Sequence, residues 1–243
     1  MVLLRFELNR SKVHSIYTGR CEMIKKFGAF VASLLAIAAS LFTGSTANAG
    51  VNCPIALTFD DGPGPYTNQI VDALAAHGAV ATFFMVGTMA QNYPGVAANV
   101  AAHGNQIGNH STSHSMLTNL GPAGAAADVQ QAQQMIAGAT GVMPLIIKPP
   151  YGETNDAIVA SVGMPEIMWS YDSMDYATHN TESTYANVTA NAQCGGIVLM
   201  HDIHSSTAAA VWRILDNLQA RGFYMVTIQG LIGTPPVGRY FHQ

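Results

Sequence analysis

The residues able to do chemistry in this chain fall into short clusters: Asp60-Asp61, His110 with His114, Lys148, Asp172 with Asp175, and His201. Asp60 and Asp61 are adjacent acids straight after an apolar run, so their repulsion must be relieved by a metal, a proton or a cation. Asp-Gly-Pro is equally common as a turn or helix cap, and the pair alone leaves both readings open. His110 and His114 lie four residues apart, on one face if that stretch turns helically, where both imidazoles can reach one ion. Two histidines and one carboxylate leave coordination positions open for water and substrate, as catalytic metal centres do. A hydrolysis also needs a base for the attacking water, an acid for the leaving group and donors for the oxyanion. One Asp of the pair can be the base while the other binds metal, and His201 can be the acid; the alternative for His201 is a histidine capping a strand. His77, His103, His179, His204 and His242 lack such company and are expected to be ordinary loop or helix residues.

Positioning these clusters falls to short β-branched and aromatic runs that alternate with Ala-rich stretches of helical length. Strands are expected at 55–59, 82–86, 106–109, 145–148, 166–170, 197–200 and 223–227. Helices are expected near 68–77, 94–103, 122–139, 155–161, 183–192 and 207–221. Gly78, Gly104 and Gly222 supply left-handed caps before the following strands. About seven βα units in one domain imply a parallel sheet, either closed into a barrel or open and doubly wound. Each cluster sits just past the carboxyl end of an expected strand or at its last residue, and in a βα barrel that is the face where catalytic groups converge. The Ala-rich stretch at 124–139 is expected to be a simple surface helix, and 87–94 and 175–184 to be connecting loops that set specificity.

Six of the ten Lys and Arg residues lie in the first fifty positions. From Met23 a basic pair, Lys25-Lys26, precedes an apolar run at 27–42 and a small-residue end, Ala47-Asn48-Ala49. That is the layout of a signal peptide cleaved after Ala49, with Met23 as the true start and residues 1–22 as a start-site artefact. A membrane anchor is the alternative, but the run is short for a span. Export to a secreted or periplasmic location is therefore expected, without a stable membrane anchor. Residues 50–243 suffice for one domain. They carry four basic residues against twelve acidic ones, a formal charge of −8 with histidine neutral. That surface repels phosphate backbones and excludes nucleic acid as a natural partner. With Cys21 in the removed segment, Cys53 and Cys194 remain as an even pair.

The chain resembles the polysaccharide deacetylases with a NodB-type domain, carbohydrate esterase family 4, over nearly all of residues 50–243. Thr58-Phe59-Asp60-Asp61-Gly62 is similar to the family's first motif, His110-Ser111-Thr112-Ser113-His114 to its second and Pro149-Pro150-Tyr151-Gly152 to its third. Asp172 to Asp175 and Leu199-Met200-His201 resemble the fourth and fifth. The resemblance implies a distorted (β/α) barrel of about seven parallel strands, with Asp60 as catalytic base and Asp61, His110 and His114 as ligands of a divalent metal. Zinc is the default ion. It further implies that the Tyr151 backbone N–H stabilises the oxyanion, that Asp175 partners His201 as the acid, and that Trp169 and Leu199 wall the acetyl pocket. The implied reaction is removal of acetyl groups from N-acetylglucosamine units of chitin, chito-oligosaccharide or peptidoglycan, by a monomer. O-deacetylation of acetylxylan, or a non-catalytic glycan-binding relative, is the alternative.

Two departures stand out. Lys148 occupies the place of an Arg, so a point charge replaces a planar fork beside Asp60, and Lys148→Arg is expected to leave activity equal or higher. Tyr176 occupies the place of a Trp. The cysteines complete the picture: Cys53 lies seven residues before Asp60 and Cys194 seven before His201. If those strands are parallel neighbours, the thiols are level at the barrel's bottom and form a disulfide.

Overall fold

A computed structural model describes residues 52–241. The expected signal segment at 1–49, the start at Met23, Cys21 and His242 lie outside the described residues. The strands, in chain order, are β1 (Cys53–Asp60), β2 (Thr82–Met85), β3 (Gln106–Asn109), β4 (Glu166–Ile167), β5 (Tyr171–Asp172), β6 (Ile197–His201), β7 (Phe223–Val226) and β8 (Arg239–Tyr240). β1 is buried along nearly its whole length, as a parallel strand covered on both faces must be. Parallel pairing runs β3–β2–β1–β6–β5, with β7 beside the first half of β1. Ile147 bridges Asn109 on one side and Glu166 on the other. Because β4 and β5 are successive parts of one stretch, these pairings lead back to β6 and make a distorted α/β barrel.

Helices cover the outside with amphipathic faces. Helix Thr67–Ala76 buries Ile70, Val71, Ala73 and Leu74, and helix Ser205–Ala220 buries Ala208, Val211, Ile214, Leu215 and Leu218, spacings of three and four that put one stripe on the core. Inside, Phe59 stacks on Phe83 with ring centroids 5.0 Å apart, and burying such a side chain contributes roughly 1.5–3 kcal/mol.

Several elements differ from expectation. The strand expected at 145–148 contracts to the single residue Ile147, which carries both bridges, since Pro149 and Pro150 follow and neither has an N–H to extend a ladder. The one at 166–170 splits, because the chain changes partners: Ile167 N–H donates to Ile147 O, while Ser170 N–H donates to Ile197 O. The stretch at 87–94 contains a helix, Gly87–Asn92, and the one at 175–184 contains Asp175–Thr178. The Ala-rich segment belongs to a longer helical stretch, Leu117–Thr140, broken at Gly121, which buries Ala125, Val129, Ala132 and Ile136. It is part of the core wall rather than a simple surface helix.

Cys53 and Cys194 are disulfide-bonded with Cα atoms 5.0 Å apart. The β1–β6 register pairs Ala56 with Ile197 and Asp60 with His201, the same offset of 141 that separates the cysteines. One register therefore sets the bridge at the bottom and brings Asp60 beside His201 at the top.

Candidate active site

Asp60 ends β1 and is buried, and its Oδ1 accepts a hydrogen bond from Lys148 Nζ at 2.9 Å. The same ammonium donates to Thr58 Oγ1 at 2.8 Å and lies 4.6 Å from the Phe84 ring centroid. Thr58 passes its own proton to Val198 O at 2.7 Å, so its oxygen is oriented to accept from Lys148. Lys148 is only 1% exposed. Burial pulls its pKa below the ordinary lysine value, against the pull of the Asp60 carboxylate.

Asp61 has φ 75°, a left-handed conformation. Its Oδ1 lies 3.3 Å from His110 Nε2 and 3.2 Å from His114 Nε2. His110 Nδ1 donates to Lys148 O at 2.5 Å, which turns Nε2 towards Asp61 as the ring atom that can ligate an ion. Asp61 Oδ1 is buried without a hydrogen-bond partner. Acceptors that converge with no proton between them fit a cation, and one ligand atom from each of Asp61, His110 and His114 lies within 4.8 Å of the others. This two-His, one-carboxylate donor set can hold a divalent metal ion. Burial would raise the Asp61 carboxyl, but hydrogen bonding to His110 and the positive charges of His110, His201 and His114 when protonated hold it down at about 2, so it stays a charged carboxylate. Burial lowers the His114 pKa, which keeps that ring neutral and able to ligate.

The histidines converge through a non-helical turn, so the condition of a helical face is not the one that brings them together. Ser111 and His114 have positive φ, 67° and 59°. The turn is anchored from outside. Ser111 N–H donates to Asn109 Oδ1, Asn109 Nδ2 to Val129 O, Thr112 N–H to Asp128 Oδ1 and Thr112 Oγ1 to Asp128 O. Asn109 and Asp128 are supports that composition did not single out, although Asp128 is the lone acid of an Ala-rich segment.

On the strand beside Asp60, His201 ends β6 with Nδ1 2.8 Å from Asp175 Oδ1. Asp175 is fully buried, and its Oδ2 accepts from His201 N–H at 2.8 Å and from Thr207 Oγ1 at 2.7 Å. Burial alone would lower the His201 pKa, but the Asp175 hydrogen bond, with the charges of Asp60, Asp175 and Asp61, pushes it up to about 9. His201 is thus a cation at neutral pH with its Nε2 proton available. Tyr176 packs edge-on against that ring, centroids 5.4 Å apart, and donates its hydroxyl to Asp172 Oδ2 at 3.1 Å.

These groups line one cavity of about 340 Å³, whose walls include Tyr151, Trp169 and Leu199. Every residue assigned to the site from the sequence borders it except Asp175, which acts from behind His201. Tyr151 has φ 65°, and its ring meets His114 edge-on at 4.5 Å. The turn's own hydrogen bonds run from Gly152 N–H to Pro149 O and from Glu153 N–H to Pro150 O, and the Tyr151 N–H is not among them. Gly152 has φ 68°, and a Cβ there would stand 2.8 Å from the Trp169 ring, so that ring closes directly over the turn.

With this geometry in place, comparison with known proteins is informative. Residues 49–166 match the model of the polysaccharide deacetylase family. The chain is 38% identical over 186 residues to the peptidoglycan-N-acetylglucosamine deacetylase PgdA of Listeria monocytogenes, covering 76% of this chain and 40% of that protein's length. It is 36% identical to a peptidoglycan-N-acetylglucosamine deacetylase of Bacillus cereus, covering 73% of this chain and 87% of the relative. Among solved structures, one described as T48 deacetylase with substrate superposes with a TM-score of 0.75 at 36% identity, covering 78% of this chain and 96% of the other.

Proposed function

The chain belongs to the polysaccharide deacetylase family, and from that premise we propose that it is a metal-dependent hydrolase that removes acetyl groups from N-acetylglucosamine units of chitin, chito-oligosaccharide or peptidoglycan. The observation that carries this reading is that one cavity is lined by a buried carboxylate, Asp60, and, beside it on the neighbouring strand, by a histidine whose pKa is pushed up to about 9. A base and an acid with well-separated proton affinities are what amide hydrolysis needs at neutral pH.

Asp61, His110 and His114 would hold the ion, with zinc as the simplest occupant of that set. When bound, the ion would polarise the acetamide carbonyl and acidify the attacking water. Asp60 takes a proton from that water as its oxygen attacks the carbonyl carbon. Lys148 keeps the carboxylate oriented for this step. The Tyr151 N–H donates to the oxygen that gains charge. His201 then gives its proton to the nitrogen, the C–N bond breaks, and acetate and a free amine result. Asp175 fixes the ring and stabilises its charge until transfer. Trp169 and Leu199 bound the space for the acetyl methyl.

Export through the segment at 1–49 belongs to this reading, supported by the Cys53–Cys194 bridge, which persists in oxidising surroundings. A monomer is proposed as the working unit. The test is acetate release from chitin oligomers, abolished by chelation and restored by zinc. Metal-replete protein that binds glycan yet releases no acetate from any acetylated glycan would be a non-catalytic relative, and the proposal would fall.

A further inference from the structure

Asp202 follows His201, is 1% exposed and takes no part in the proton transfers above. Its carboxyl lies against Gly62: a Cβ built there would stand 2.1 Å from Asp202 Oδ2 and 2.3 Å from Oδ1. The carboxyl therefore fills the volume that a side chain on the residue after Asp61 would occupy. Thr67 Oγ1 donates to Asp202 Oδ2 at 2.5 Å and accepts from Gly64 N–H at 2.8 Å, so one hydroxyl ties the carboxyl to the far side of the same turn. The Asp202 N–H points at Asp60 O, 3.4 Å away.

These contacts form a clasp around residues 60–64, the turn that carries both Asp60 and Asp61. The turn needs one, because Asp61 is held at φ 75°, where residues other than glycine stay only if the surroundings over-determine them. Stability does not account for the carboxyl. Its Oδ1 is buried without a hydrogen-bond partner, and a buried polar atom in that state costs free energy that a well-packed apolar side chain would not.

We propose that Asp202 is a positioning residue: with Thr67 it locks the turn at the end of β1 to the end of β6, setting Asp61 against His110 and His114 and Asp60 beside His201. The anchor acts on geometry before any chemistry, so its loss must appear in metal affinity as well as in turnover.

The test uses the full-length protein and its Asp202→Ala, Thr67→Val and Asp202→Asn variants. Zinc affinity is measured by competition with a chromophoric chelator, and kcat and KM from acetate release with a chitin oligomer. Asp202→Ala and Thr67→Val should each weaken zinc binding by about tenfold or more. Each should lower kcat by a similar factor, with KM within about threefold of wild type. Asp202→Asn, which keeps the shape and an acceptor for Thr67, should recover most of both losses. If Asp202→Ala does not fold, Thr67→Val, a near-isosteric change, decides alone. Wild-type zinc affinity in folded Asp202→Ala or Thr67→Val would overturn the proposal. Only the kinetic arm rests on the deacetylase reading: wild-type protein that releases no acetate would sink that reading and leave the zinc arm to judge Asp202.

Discussion

The Lys148 ammonium has three protons to place, and the folded chain offers Thr58 Oγ1, Asp60 Oδ1 and the face of Phe84. A guanidinium is longer and planar, and in a site only 1% exposed it would have to displace one of these neighbours. Against the expectation from sequence that Lys148→Arg is neutral or beneficial, this packing predicts that kcat/KM falls by about tenfold or more, measured as acetate release. Equal or higher activity would show that charge alone matters there. On the neighbouring strand, His201 has a pKa of about 9 in the folded chain against about 6.5 when unfolded. Its pairing with Asp175 therefore contributes stability that is complete below about pH 6.5 and fades as pH rises through about 9. Turnover should decline over the same alkaline limb as the acid loses its proton. Asp175→Asn removes the group that raises His201, so the limb should move down towards neutral pH while kcat falls by about two orders of magnitude. A limb unchanged in the variant would mean that another group is titrating.

At the scale of elements, the disulfide and the active site are two ends of one register. Replacing Cys53 and Cys194 together by Ala opens a closure spanning 141 residues and should cost about 3–5 kcal/mol, read as a fall in the denaturant midpoint. Because the β1–β6 ladder itself still pairs Asp60 with His201, activity at 25 °C should persist; coincident loss of activity in folded protein would mean that the bridge, not the ladder, sets the site. Those ends were legible in the sequence because a continuous apolar strand, a β-then-α alternation and equal spacings are one-dimensional signals. The supports were not. The clasp of Asp202 on Gly62, the grip of Asp128 on Thr112, and the turn that joins His110 to His114 depend on positive-φ backbone and on contacts between distant elements, which periodicity does not encode. The same reason explains why the strand at 166–170 divides: its first half pairs with Ile147 on one flank and its second half with β6 on the other, and only the folded sheet makes that visible.

Over the described residues, the parallel barrel gathers strand ends on one face, and the chemistry sits there because the Asp60–Asp61 pair after β1, the histidines after β3 and the acid at the end of β6 converge from three strand ends. Residues 50–243 carry a formal charge of −8, a field that suits a neutral acetylated glycan and its cationic amine product better than a polyanion. No helix among the described residues is long and apolar enough to cross a membrane. The central claim is that a metal held by Asp61, His110 and His114 and a base at Asp60 act together. The most direct measurement is zinc titration of metal-free protein, wild type and Asp60→Asn, while acetate release from a chitin oligomer is followed. Wild-type activity should rise in proportion to zinc and saturate at about one equivalent, whereas Asp60→Asn should bind the same equivalent and turn over about a thousandfold more slowly. Full activity without metal, or an Asp60→Asn variant as fast as wild type, would contradict the account.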